Sequence, residues 1–242
     1  MKKKKENEEE KIKYEAIFRL VLKEKLKGKF NEEKYTVEEG EKLIYKVFVR
    51  DNNGNLEFDP QKPTELSDYV FEADLVIKEE KIPLPLVVIE TKYKSFTTHD
   101  VITYSTKALR HKEIYPYLRY GLVVAIPDKN EVYIAKKFFT HNVGFDFALA
   151  MKISVNKSND KSLKEISEKL SKKQQLEKNE MEGLKKVFKI DKNDLKMLKK
   201  ILQNQIKSAE NLKKVIFDEK KKIKKYCSII EINSEGDCTY EP

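Results

Sequence analysis

Residues 84–92 read LPLVVIETK, an apolar run that ends abruptly in Glu90, Thr91 and Lys92. A run this short, rich in Val and Ile and bounded by proline and charge, has the character of a strand buried on both faces. Side chains two apart on a strand leave from the same face, so Glu90 and Lys92 point together while Thr91 points away. Upstream, YVFEADLVI at 69–77 reads as a second strand and carries Asp74 at the head of its own apolar run. Downstream, YGLVVAI at 120–126 reads as a third. Between the second and third lies THDVITYSTKALRHKEIYP (98–116), long enough for a helix, with Thr98 or Asp100 as N-cap and Pro116 marking its end. A strand, helix, strand crossover of this kind predicts an α/β fold with helices on the faces of a sheet.

Further out, Ile12, Ala16, Leu20 and Leu22 to Leu26 fall near helical spacing in KIKYEAIFRLVLKEKL and predict a first amphipathic helix. EKLIYKVFVR (41–50) has strand character, and DNNGNLEFDPQKPTELSD (51–68) reads as a long loop because Asn, Gly, Asp and Pro favour turns. After the turn PDKN, the segment EVYIAKKFF (131–139) reads as an edge strand, and VGFDFALAM (143–151) as a short closing element. From about Ser158 the spacing turns helical: Leu163, Ile166 and Leu170, then Leu184, Val187 and Phe188, then a series from Leu195 to Ile216. That series is long enough for a coiled-coil seam and serves either self-association or packing on the first unit. The expected division is a core at 1–155 and a helical region at 156–242, with the end of the chain, 227–242, either a strand or a loose tail.

A chain of 242 residues can build one conventional core and a smaller appendage. No stretch approaches the roughly 18 uninterrupted apolar residues of a membrane span, and MKKKKENEEEK has no apolar run of the signal-peptide kind. A cytoplasmic protein without a membrane partner is therefore expected. Cys227 and Cys238 have no neighbouring His and read as reduced thiols, neither a zinc site nor a disulfide framework. Charge is unevenly spread: residues 152–226 hold 23 Lys against 11 acids, a net of +12, while residues 1–151 carry a net of only +1. A concentrated basic segment attracts nucleic acid, unless it is simply a solvated helical surface. No helix-turn-helix, zinc finger or Gly-rich phosphate loop accompanies it, which disfavours a simple transcription factor or an ATPase.

Asp74 on one strand and Glu90 with Lys92 on the next suit phosphodiester hydrolysis, in which a water must be deprotonated and charge builds on phosphoryl oxygens. Mg2+ takes oxygen ligands and keeps several waters, so Asp74 and Glu90, with the carbonyl of Thr91, are a sufficient protein contribution. Mn2+ is the natural substitute. Lys92 would position or activate the water and stabilise the developing charge. Glu72 shares a strand face with Asp74 and is the alternative ligand, but Asp74 opens the apolar run LVI and is preferred. Asp68 belongs to a turn.

An acid, a spacer and an apolar strand ending in Glu-x-Lys resemble the pattern of the PD-(D/E)XK nuclease superfamily, which includes many restriction endonucleases and repair nucleases. The resemblance spans roughly residues 10–150. It implies a restriction endonuclease-like core, a mixed central sheet flanked by helices, here followed by a C-terminal α-helical region. It also implies a first-helix glutamate that assists metal binding, for which Glu15 in KYEAIF is the matching position and surface charge the other reading. Ala73 stands where the motif has proline, and the helix after the triplet lacks the Gln-x-x-x-Tyr signature of helicase-linked exonucleases. In its place are Tyr104, Lys107, Arg110, His111 and Lys112, within reach of a phosphate backbone, and Lys94 and Ser95, just past the triplet, read equally as phosphate contacts or as an exposed loop. His111 serves either as a general base or as a DNA-contacting or surface residue; the second is preferred because the metal and Lys92 already account for water activation. The expected function is a magnesium-dependent DNA endonuclease, with the basic C-terminal helices contacting DNA or forming a homodimer. A repair or junction-processing nuclease and a catalytically inactive DNA-binding protein are the rivals.

Overall fold

The computed structural model describes residues 2–31, 33–52, 55–59, 69–81, 84–94, 97–127, 132–156, 160–172 and 174–217. Helix α1 (Lys2–Leu26) leads into strand β1 (Tyr35–Ile44), a hairpin of β2 (Phe48–Asn52) and β3 (Asn55–Asp59), and then β4 (Val70–Glu79) and β5 (Pro85–Tyr93). Helix α2 (Thr98–Ile114) crosses to β6 (Arg119–Ile126), and α3 (Val132–His141) crosses to β7 (Phe147–Val155). Helices α4 (Asp160–Ser171) and α5 (Lys178–Val187), the short β8 (Phe188–Ile190) and the long α6 (Lys192–Ile216) complete the described chain.

Six strands form one mixed sheet in the order β1-β4-β5-β6-β7-β8, in which β5, β6 and β7 run parallel and the remaining pairs are antiparallel. Every residue of β5 is buried, as its apolar run requires. Alternation divides the core into two layers. Val87, Ile89, Val123 and Ala125 pack with α1, α4, α5 and α6, whereas Val88, Leu122 and Val124 pack with α2 and α3. Leu198, Leu202, Ile206 and Ala209 of α6 are buried in the same cluster as Tyr14, Phe18 and Leu22 of α1. The apolar seam of α6 thus covers β5, β6 and β7 of its own chain, and the 155/156 boundary falls within continuous packing. Among the described residues no helix is long and apolar enough to cross a membrane.

Several local expectations are corrected. EVYIAKKFF is not an edge strand: 132–141 is helix α3, since β7 joins the sheet parallel to β6 and a parallel neighbour needs a crossover. Within it Phe138 is buried beneath α2 while Phe139 is 81% exposed. The loop at 51–68 contains most of the β2–β3 hairpin, whose register closes on Asn52 and Asn55 around the sequence Asn-Gly, a strong hairpin signal. The first helix buries Tyr14, Ile17, Phe18, Val21, Leu22 and Leu26, and Ile12 is 71% exposed. Its aromatic side chains set the seam, with Tyr14 stacked on Tyr93 at 5.0 Å. The N-cap of α2 is Thr97, with Asp100 completing a capping box, one residue before the expected start. Phe188 lies in β8, not in a helix. Asp68, Ser95, Cys227, Cys238 and the tail at 227–242 lie outside the described residues.

Gly40 adopts φ 70, in the left-handed region that favours glycine. It sits between the pairs Glu39–Leu75 and Glu41–Ala73, across from Asp74, and a Cβ there would lie 3.3 Å from Glu72 Oε1.

Candidate active site

The β4–β5 ladder runs as far as the Leu75–Ile89 pair, and the next residues on the two strands are Asp74 and Glu90. There the Thr91 amide donates to a side chain: it reaches Asp74 Oδ2 at 2.7 Å, and the Thr91 hydroxyl donates to the same oxygen at 2.8 Å. Arg19 of α1 donates to Asp74 Oδ1 at 2.8 Å and to Glu39 of β1 at 2.8 Å. Asp74 is thereby fixed from β5 and α1 at once. Glu72, the alternative ligand, is exposed and gives its backbone carbonyl to Lys107.

Glu90 and Lys92 share a strand face, and both meet α2. Tyr104 and Lys107 are three apart on that helix and therefore lie on one of its sides. Lys107 Nζ donates to Glu90 Oε1 at 2.8 Å, and Lys92 Nζ donates to Tyr104 Oη at 3.1 Å while lying 4.4 Å from the centre of its ring. Glu90 Oε1 also accepts from Tyr120 Oη at 2.8 Å. Across the end of the strand, Lys92 donates to Glu15 Oε1 of α1 at 2.9 Å. Asp74, Glu90, Lys92 and Glu15 therefore lie in one cluster, supplied by β4, β5 and α1.

Burial, and after it the negative charge of Asp74, raises the pKa of Glu90 against the opposing pull of Lys107 and Tyr120. For Lys92, burial acts to discharge the amine, but Glu15 and Tyr104 outweigh it and the pKa is raised. Lys92 is thus a firm cation, suited to stabilising charge; of the two tasks expected of it, accepting a proton from water is the one this environment opposes. Tyr120 is pushed far above the ordinary tyrosine range by burial and by Glu90, so its hydroxyl remains a donor.

The helix residues expected to contact DNA separate into two groups. Tyr104 and Lys107 turn inward to the cluster. His111 is corrected: it is fully buried, bonded through Nε2 to the Leu43 carbonyl at 3.2 Å, and packed between Phe71 and Tyr120, because its position on α2 faces the sheet. Burial, with Lys107 second, holds its pKa at about 4, so it is a neutral core residue with no access to DNA. Arg110 is exposed and paired with Glu113 at 3.0 Å. Lys112 binds Asp146 at 2.8 Å. Lys94, at φ 63 just past β5, is exposed and 3.4 Å from Glu10. Sequence reasoning missed Arg19, Glu39 and Tyr120; the available signal was that Arg19 is one of only four arginines in a lysine-rich chain.

Among the described residues no group of three or more His, Cys, Asp or Glu is assembled to hold a metal. The pair Asp74 and Glu90 nevertheless fits a hard divalent cation, since the charge of one carboxylate disfavours ionisation of the other and a cation relieves that conflict. Thr91 acts here through its amide and hydroxyl, as the residue that orients Asp74. Comparison of the chain with protein-family models, with curated proteins and with solved structures gives no match.

Proposed function

We propose that this chain is a divalent-cation-dependent nuclease that hydrolyses phosphodiester bonds of DNA, with Mg2+ as the working ion and Mn2+ as a substitute. The observation that carries this reading is the meeting of Asp74, Glu90 and a firmly protonated Lys92 where a buried strand pair ends. The order of elements, from α1 through the acid-bearing strand and the Glu-x-Lys strand to α2 and β6, also agrees with the PD-(D/E)XK pattern that the motif resembles. A hard divalent ion, when bound, supplies Lewis-acid activation of water and neutralises charge at the phosphate. Asp74 and Glu90 are the residues that would hold it, with Thr91 fixing the Asp74 carboxylate. Lys92 would donate to a phosphoryl oxygen and stabilise the charge that develops there. Glu15 and Tyr104 keep Lys92 in position for that task.

The outward side of α6 supports a polyanionic substrate. Lys192, Lys196, Lys200 and Lys207 are exposed along it, and none has an ion pair among the described residues. At 1.5 Å per residue this helix is about 37 Å long, enough to follow roughly ten base pairs of duplex. One observation favours a second reading, a DNA-binding protein without cleavage: Arg19 and Lys107 already neutralise both carboxylates.

Supercoiled plasmid incubated with Mg2+ tests the proposal, comparing the wild type with Lys92→Ala and Asp74→Ala. Cutting that disappears in both variants supports the nuclease, and discrete fragments would mark it as restriction-like. Cutting only of branched substrates would indicate a junction-processing enzyme. Binding without cutting in Mg2+ or Mn2+ would leave the second reading.

A further inference from the structure

We propose that Lys107 is a built-in stand-in for the divalent cation, neutralising Glu90 while the site is empty and displaced from it when the ion enters. The inference rests on the nuclease reading above. Glu90 is 2% exposed, and a buried carboxylate without a counter-charge is strongly disfavoured. Lys107 supplies that charge from α2, at 2.8 Å from Glu90 Oε1, and its remaining hydrogen bond goes to the Glu72 backbone carbonyl. Arg19 plays the matching part for Asp74, but it also holds Glu39 and so has a second carboxylate to retain it. Lys107 has no second carboxylate among the described residues. A lysine is a point charge on a flexible four-carbon stem, whereas an arginine fork is rigid, so Lys107 is the cation built to move. Its side chain is 11% exposed and lies at the margin of the cluster.

The charge balance agrees. Glu15, Glu39, Asp74 and Glu90 face Arg19, Lys92 and Lys107, which leaves one net negative charge in the empty cluster. Adding a divalent ion reverses the sign to one net positive charge, which suits an anionic phosphodiester. The released ammonium would remain beside the cluster as a donor for the substrate phosphate, the role expected of Lys107 from its place on the helix.

The test uses the full chain and Mn2+ as probe. Calorimetric titration is run on the wild type and on Lys107→Met, and acetylation of Lys107 in the wild type is followed by mass spectrometry with and without the ion, with exposed Lys200 as internal reference. Lys107→Met should melt lower than the wild type without Mn2+, close that gap when the ion is added, and bind it about tenfold more tightly, the scale of one charge-assisted hydrogen bond no longer competing. Acetylation of Lys107 relative to Lys200 should rise several-fold when Mn2+ is added. Equal affinities together with unchanged acetylation overturn the stand-in role and leave the nuclease reading intact. Absence of Mn2+ binding in both chains overturns the two together. If Lys107→Met does not fold, the wild-type acetylation decides by itself.

Discussion

Asp74 Oδ2 accepts two hydrogen bonds from Thr91, one from its amide at 2.7 Å and one from its hydroxyl at 2.8 Å. The amide is supplied by almost any residue at position 91, but the hydroxyl is particular to the side chain. Thr91→Val keeps size and β-branching and removes one bond to a charged group, so a stability loss of about 1–3 kcal/mol in urea unfolding is expected. DNA cleavage should fall by about tenfold or more as the carboxylate loses its fixed orientation. Wild-type cleavage in this variant would remove Thr91 from the positioning residues.

Glu15→Gln should weaken the hold on Lys92 without emptying the space it fills. The folded pKa of Lys92 is raised above its ordinary 10.5, so the stabilisation from this group is complete below that value and is lost as pH rises through the folded value. The loss begins at 10.5 in both proteins and scales with the size of the rise, so thermal unfolding between pH 10 and 12 should fall less steeply in the variant than in the wild type. The upper limb of the cleavage profile should move to lower pH.

His111 carries the opposite sign. Its pKa is depressed to about 4 from an ordinary 6.5, so its contribution is complete above 6.5 and is lost as pH falls toward 4. The loss amounts to about 3 kcal/mol at the acid end. His111→Phe should flatten the pH dependence of melting between 6.5 and 4 while leaving DNA affinity at pH 7.5 unchanged; a large drop in affinity there would restore His111 as a DNA-binding residue.

Gly121 faces Phe147 across the β6–β7 pair, and a Cβ at 121 would lie 2.1 Å from the Phe147 ring. Gly121→Ala should therefore cost about 1–3 kcal/mol or more from overpacking. In a Phe147→Ala background, which carries its own cost of a lost core ring, the Gly121→Ala cost should shrink, and a double-mutant cycle by chemical unfolding measures the coupling. Strict additivity would mean the ring moves aside freely.

Charge reversal at Lys196, Lys200 and Lys207 on the outer side of α6 should weaken DNA binding and reduce its salt slope by about one for each phosphate left without its lysine. Mn2+ binding should not change, because these side chains lie away from Asp74 and Glu90. An unaltered salt slope would assign that surface to solvent.

The strands that carry the cluster are legible in the sequence because their apolar runs are short, uninterrupted and bounded by charge, and parity alone pairs Glu90 with Lys92. What escapes such a reading depends on tertiary partners. Arg19 lies on a helix crowded with Lys and Glu, and only the neighbouring strand reveals that it faces Asp74 and Glu39. His111 reads as a surface residue because helix periodicity does not say which side of α2 meets the sheet. The segment that forms α3 is apolar enough for either state, and the parallel entry of β7 decides it. Ile12 is misplaced by aliphatic spacing because the buried face of the first helix runs through Tyr14, Ile17, Phe18, Val21, Leu22 and Leu26, which leaves position 12 exposed.

The packing of α6 across β5, β6 and β7 bears on the order of events during synthesis. A nascent chain that has emerged as far as Val155 carries Glu15, Asp74, Glu90 and Lys92, yet the apolar side of β5 at Val87 and Ile89 still lacks the cover that Leu198, Leu202 and Ile206 provide. Helix α1 is already available to pack on that side, so what α6 adds on leaving the ribosome is the remainder of the cover over the strand bearing Glu90. On the proposed reading, full competence to cut DNA would await that last helix.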